Sequence, residues 1–130
     1  MRIDHVTINV TDMEAAEAFY RDALGLTKLQ DVDMGDHELH YFDLGDGQLL
    51  ELIWYKDAQP EIHPDVKTKG IFRHLALAVD DLDAVYRRII AHGGTVTSTP
   101  AEVPKLHFRN ILVRDPDGVE LEIVQRDQPE

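Results

Sequence analysis

The feature that most constrains this chain is that its second half repeats its first. The segment His5 to Ala15 (HVTINVTDMEA) lies over His74 to Ala84 (HLALAVDDLDA), an offset of 69 positions. Each copy then runs through a helical stretch to a glycine, Gly25 in the first and Gly93-Gly94 in the second. Each ends in a glycine turn and a short apolar strand that carries a glutamate, Glu51 in the first and Glu122 in the second. Here the offset is 71, a two-residue difference that a surface loop absorbs at little entropic cost. A His, an Asp, a glycine turn and a Glu recurring in one order mark a duplicated structural unit.

Periodicity gives the elements of one copy. Val6, Ile8 and Val10 alternate with His5, Thr7 and Asn9 over Ile3–Val10, as in a half-buried strand. Thr11 and Glu14 read as a capping box, and apolar residues from Met13 to Leu24 recur at helical spacing until Gly25. Three short strands then follow up to Ile53, separated by turn signals at Met34-Gly35-Asp36 and Gly45-Asp46-Gly47. The second copy predicts a strand over Phe72–Val79 and a helix from about Asp81 to Ala91. Further strands follow near Thr95–Thr97, Phe108–Val113 and Val119–Gln125, the last two joined at Asp115-Pro116-Asp117-Gly118.

The expected fold class is therefore α+β. Two β-α-β-β-β modules, about 1–55 and 71–126, are joined by a polar connector at about 56–70 in a single domain of 130 residues. Their eight strands are expected to form one curved mixed sheet with helices on its outer face and a concave inner face. Strand parity sends His5, Thr7 and Asn9 inward, with His74 in the matching place. The economical arrangement turns Glu51 and Glu122 the same way. Two carboxylates brought together in a largely apolar cavity repel unless a cation separates them. Imidazole with carboxylate suits Ni, Zn or Co, with Fe and Mn as alternatives.

These residues reach a family. His5, Glu51, His74 and Glu122 in two such modules resemble the vicinal oxygen chelate superfamily. Its members include glyoxalase I, extradiol dioxygenases, methylmalonyl-CoA epimerase and the fosfomycin- and bleomycin-resistance proteins. The likeness runs from Arg2 to about Val124. It rests on Ile3-Asp4-His5, on Phe19-Tyr20-Arg21-Asp22-Ala23-Leu24-Gly25-Leu26 and on the Asp115–Gly118 turn that precedes Glu122. The resemblance implies one divalent metal per site, left open to substrate oxygens, and proton abstraction next to a chelated carbonyl by Glu51 or Glu122. The His-Glu-His-Glu set matches glyoxalase I, a lyase of the lactoylglutathione type.

The epimerase usually has Gln where this chain has Glu51. An Fe(II) extradiol dioxygenase needs only His5, His74 and Glu122. A drug-binding member usually lacks the ligand set altogether. Asn9 stands where many bacterial glyoxalase I sequences carry arginine, so the substrate reading extends to another α-hydroxycarbonyl, an acyl-CoA or an aromatic diol. Thr7, Asn9, Lys105, His107 and Arg109 are candidate substrate contacts, the last three as cations on a chain rich in acid.

Charge and composition narrow the partners. Thirteen Lys and Arg against 25 Asp and Glu leave a net charge of −12, which repels phosphate backbones and anionic lipid. There is no cysteine, which removes disulfides, thiolate metal sites and a cysteine nucleophile. Neither a signal-peptide core nor an apolar run long enough to span a bilayer is present, so the reading is a cytoplasmic protein acting on a small molecule. The resemblance adds a homodimer, in which a site takes its ligands from one chain or from two.

Overall fold

A computed structural model of the chain describes residues 1–57 and 65–127. Backbone contacts divide it into two compact units, residues 1–62 and 63–130. The expected elements are present in both, and backbone pairing groups the eight strands as two four-stranded sheets, one per unit. Residues 58–64 of the expected connector lie outside the described residues.

In the first unit the order is β1 (His5–Asn9), α1 (Met13–Glu17), β2 (Lys28–Asp33), β3 (His37–Gly45) and β4 (Gln48–Tyr55). The sheet runs β1-β4-β3-β2, with β1 parallel to β4 and the other pairs antiparallel. The capping box expected at Thr11 is not the cap. Asp12 is, its carboxylate accepting from the Ala15 amide at 3.1 Å, where the negative charge also meets the positive helix end. After Glu17 the expected single helix widens into a π-helical segment, Ala18–Ala23, and the Leu24 amide donates to the Phe19 carbonyl at 2.9 Å. The Tyr20 ring tilts against Phe42 at 6.4 Å between centroids. The register puts Phe42 opposite Leu50 and Leu50 opposite Val6, so this row faces the helix. Phe42, Leu50 and Leu52 are buried there beneath Ala16, Phe19 and Tyr20. The next row, Thr7, Glu51 and Tyr41, therefore occupies the opposite face.

The second unit repeats this with β5 (Leu75–Ala78), α2 (Leu82–Ala91), β6 (Thr95–Val103), β7 (Phe108–Arg114) and β8 (Glu120–Arg126), ordered β5-β8-β7-β6. Asp81, 69 positions after Asp12, caps α2 by accepting from the Ala84 amide at 3.0 Å. Gln125 also accepts from the Leu82 amide at 2.8 Å, which turns Leu121, Ile123 and Gln125 toward α2 and Glu122 away from it. Leu82, Ile89, Ile111, Val113, Leu121 and Ile123 form the buried apolar layer. The turn before β8 is fixed by Asp115, whose Oδ1 accepts from the Asp117 and Val119 amides at 2.9 and 2.8 Å. Gly118 closes it at φ +83°, a conformation that a side chain would strain.

The main departure from expectation is β6. It continues to Val103 rather than ending near Thr97, through a polar, proline-bearing run with register shifts at Val96/Ser98 and Ser98/Ala101. Among the described residues no helix is long and apolar enough to cross a membrane.

Candidate metal centre

In the first unit the expected residues His5, Thr7 and Asn9 alternate along β1, and Glu51 stands beside Thr7 on β4. Glu51 is buried, and both of its oxygens are engaged. The Thr7 hydroxyl donates to Oε1 at 2.9 Å, and the Tyr41 hydroxyl donates to Oε2 at 2.5 Å. Tyr41 was not among the residues expected from sequence. It reaches Glu51 because β3 and β4 are in register at that pair. The carboxylate in turn holds the phenol protonated, pushing Tyr41 up to about 12, with burial acting the same way.

His5 is half-exposed, and its Nδ1 donates to Asp4 Oδ2 at 2.7 Å. That hydrogen bond raises the imidazole above its usual range; burial opposes the shift and the charge of Glu51 adds to it. With Nδ1 committed, Nε2 is the nitrogen left to bind a ligand. Asn9 is exposed at the end of β1.

In the second unit His74 precedes β5, and two glutamates on one face of β8 meet its two ring nitrogens. Nδ1 donates to Glu120 Oε2 at 2.9 Å, and Nε2 lies 3.4 Å from Glu122 Oε1. Arg73 also donates to Glu120, from Nε to Oε2 at 2.7 Å. Arg73 holds the Glu120 carboxyl below its usual range; burial opposes this and His74 assists it. The remaining oxygen of Glu122, Oε2, accepts from Asn110 Nδ2 at 2.8 Å. Neither Glu120 nor Asn110 was singled out as a site residue from sequence.

The three cations named as candidate substrate contacts lie on β7 and in the turn that precedes it. Arg109 lies on the α2 side of β7 and forks onto Asp83, with contacts of 3.1 and 3.3 Å. Parity sets this side: Arg109 shares its face with Ile111 and Val113, which are buried under the helix. Lys105 and His107 are exposed in the short 3₁₀ turn between β6 and β7, where His107 adopts the left-handed conformation at φ +60°.

One further cluster of donor atoms was not anticipated. Glu17, Asp31 and His40 bring three possible metal-ligand atoms within 4.8 Å of one another on the helix side of the first unit. Lys28 Nζ lies among them, bonded to Glu17 and placed 2.8 Å from Asp31 Oδ1 and 3.3 Å from His40 Nδ1. Burial alone would raise the Glu17 carboxyl, but Lys28 and His40 together hold it below its usual range. An ammonium already stands where a metal cation would go.

The model of the Glyoxalase/Bleomycin resistance protein/Dioxygenase superfamily matches residues 2–123. The chain belongs to this superfamily. Two similar superfamily proteins are the probable lactoylglutathione lyases of Vibrio cholerae and Vibrio parahaemolyticus. They are 29% and 31% identical, and each comparison covers 98% of this chain and 92% of the relative. The fold is similar to that of a glyoxalase I variant from Zea mays, at a TM-score of 0.83 and 23% identity, over 98% of this chain and 46% of the maize chain.

The donor chemistry fits a divalent cation of the kind the superfamily resemblance implies. Each unit by itself offers an imidazole whose Nδ1 is tied to a carboxylate. Each also offers a glutamate steadied by hydroxyl or amide donors and, among the described hydrogen bonds and ion pairs, not bonded to a lysine or arginine.

Proposed function

We propose that this chain is a divalent-metal-dependent lyase or isomerase of the glyoxalase type, working on a small α-hydroxycarbonyl. His5, Glu51, His74 and Glu122 would hold the metal, with Ni, Zn or Co the ions best suited to two imidazoles and two carboxylates. The observation that carries the reading is at His74. Its Nδ1 is spent on Glu120 while its Nε2 lies 3.4 Å from Glu122, so a ligand nitrogen and a carboxylate oxygen converge. The names of the two Vibrio relatives support the reaction class, and the family match across both modules supports treating them as one domain.

The bound ion would supply Lewis-acid stabilisation of negative charge developing on a substrate oxygen. The chain's own groups supply the proton chemistry. A glutamate carboxylate takes the proton from the carbon next to the carbonyl and returns it to the neighbouring atom, and the candidates are Glu51 and Glu122. Tyr41 and Thr7 hold both oxygens of Glu51, whereas Asn110 holds one oxygen of Glu122. Thr7 and Asn9 lie on the same strand face as His5 and are the substrate-positioning candidates there. The same reading makes the working unit a cytoplasmic homodimer, a state that light scattering after size exclusion measures directly.

The test is proton exchange at the substrate α-carbon and formation of lactoylglutathione, measured with Ni, Zn and Co in turn. Activity restored to chelator-treated protein by one of these metals, and lost with exchange in Glu122→Gln, supports the assignment. Oxygen uptake with a catechol under Fe(II), without exchange chemistry, would replace the lyase reading with a dioxygenase.

A further inference from the structure

We propose that Glu120, anchored by Arg73, is a positioning residue that fixes the His74 imidazole with its proton on Nδ1 and its lone pair on Nε2. The consequence for metal affinity rests on the metal reading above; the orientation itself does not. Glu120 and Glu122 are two residues apart on β8, so both side chains leave the same face of the sheet. That spacing lets them bracket one ring. Glu120 Oε2 meets Nδ1 at 2.9 Å, and Glu122 Oε1 stands 3.4 Å from Nε2.

The bracket is asymmetric because of Arg73, the residue immediately before His74. Its Nε donates to the same Glu120 oxygen at 2.7 Å, and its Nη2 reaches Oε1 at 3.4 Å. Glu120 has only 6% of its side chain exposed, so its charge is held out of water and needs the donors that Arg73 and His74 provide. An oxygen fixed in this way can only accept, so it selects the Nδ1–H tautomer and sets the ring plane. The lone pair on Nε2 then points toward Glu122 before any cation arrives.

The first module has a looser counterpart. Asp4 meets His5 Nδ1 at 2.7 Å, but its side chain is 81% exposed and no arginine is bonded to it among the described hydrogen bonds. His74 is therefore the pre-set ligand and His5 the adaptable one.

The experiment uses the metal-free full-length protein and its Glu120→Leu and Arg73→Met variants, each first checked for native circular dichroism. Long-range ¹H–¹⁵N spectra read the His74 tautomer, and competition with a chromophoric chelator reads Zn²⁺ affinity. The expected result is a single Nδ1–H tautomer in the unaltered protein and a mixture in Glu120→Leu. Zn²⁺ affinity should fall about 10- to 100-fold in Glu120→Leu and less in Arg73→Met. If Glu120→Leu does not fold, Arg73→Met carries the test, because that side chain is 46% exposed. An Nε2–H tautomer in the unaltered protein, or Zn²⁺ affinity within twofold in both variants, overturns the assignment. If the unaltered protein binds no Zn²⁺, the metal reading fails while the tautomer spectrum still decides the role of Glu120.

Discussion

The Tyr41 hydroxyl donates to Glu51 Oε2 at 2.5 Å across the antiparallel β3–β4 pair, and this contact gives the first module its most readable titration. The raised Tyr41 pKa, about 12, sets the sign. The unfolded phenol ionises near 10, so the contact's contribution to stability is fully present below that pH and is lost as pH rises toward 12. Alkaline titration followed at 295 nm should contain a tyrosinate phase near 12 that disappears in Tyr41→Phe. The same variant removes one of two donors from a buried carboxylate and should cost about 1–3 kcal/mol in denaturant unfolding at pH 7. A titration unchanged by the substitution would refute the contact.

The Glu17, Asp31, His40 and Lys28 cluster makes a second claim on stability. Lys28 is the only lysine or arginine bonded to both carboxylates among the described ion pairs. Lys28→Met should leave the half-buried Glu17 facing Asp31 with His40 and a longer contact to Arg21 Nη1, 3.9 Å away, to compensate, at a cost of about 1–3 kcal/mol. The pH dependence has a definite sign. The Glu17 carboxyl is held below its usual range in the folded state. Its contribution is therefore present above the unfolded carboxylate pKa and fades as pH falls through the lower folded value. Unfolding curves at pH 7 and pH 4 should show the cost of Lys28→Met shrinking at the acid end. A cost that stayed constant would mean that packing of the lysine stem, not charge, is what was lost.

Much of this arrangement was legible before any coordinates. The duplicated His, Asp and Glu positions, and the alternation of Val6, Ile8 and Val10 against His5, Thr7 and Asn9, survive because strand parity is a local property of the chain. The partners of the candidate ligands were not legible. Tyr41 meets Glu51, and Asn110 meets Glu122, only through the register of antiparallel pairs, and register depends on how each hairpin turns and bulges. The long β6 escaped for a related reason. Its sequence TVTSTPAEV carries little apolar signal, and its two register shifts break what alternation there is. The π-helical segment after Glu17 has the same apolar spacing as an ordinary helix, so nothing in the pattern foretold it.

Arg109 separates two roles that sequence alone left open. Its guanidinium forks onto Asp83 at the first turn of α2, a partly exposed pair that lowers the Asp83 carboxyl through the hydrogen bond and its charge. Exposed pairs of this kind contribute little. Arg109→Met should leave the denaturant midpoint of unfolding nearly unchanged and the KM for an anionic substrate within twofold. A large rise in KM with unchanged kcat would return Arg109 to the substrate site.

Gly94 follows α2 for a reason of space. A Cβ placed there would lie 2.5 Å from Ile89 Cγ2 and 3.1 Å from the Ile89 carbonyl oxygen, and the Gly94 amide donates to that same carbonyl at 2.9 Å. Ile89 is fully buried against the sheet, so it has nowhere to withdraw, and the helix end would have to move instead. Gly94→Ala should therefore destabilise the protein by about 1–3 kcal/mol through overpacking, although alanine is the better residue for an ordinary helix. Gly93, at φ +73° with nothing within 4 Å of its added Cβ, is the matched control. Gly93→Ala should lose only about 1 kcal/mol from backbone conformation. The two sites also differ in their response to Ile89→Ala. The truncation costs stability on its own, but it clears the space a Gly94 side chain needs. The double variant Ile89→Ala/Gly94→Ala should be more stable than the sum of the single losses, while Ile89→Ala/Gly93→Ala should be additive. Additivity at both positions would place the cost in the backbone and not in the contact with Ile89.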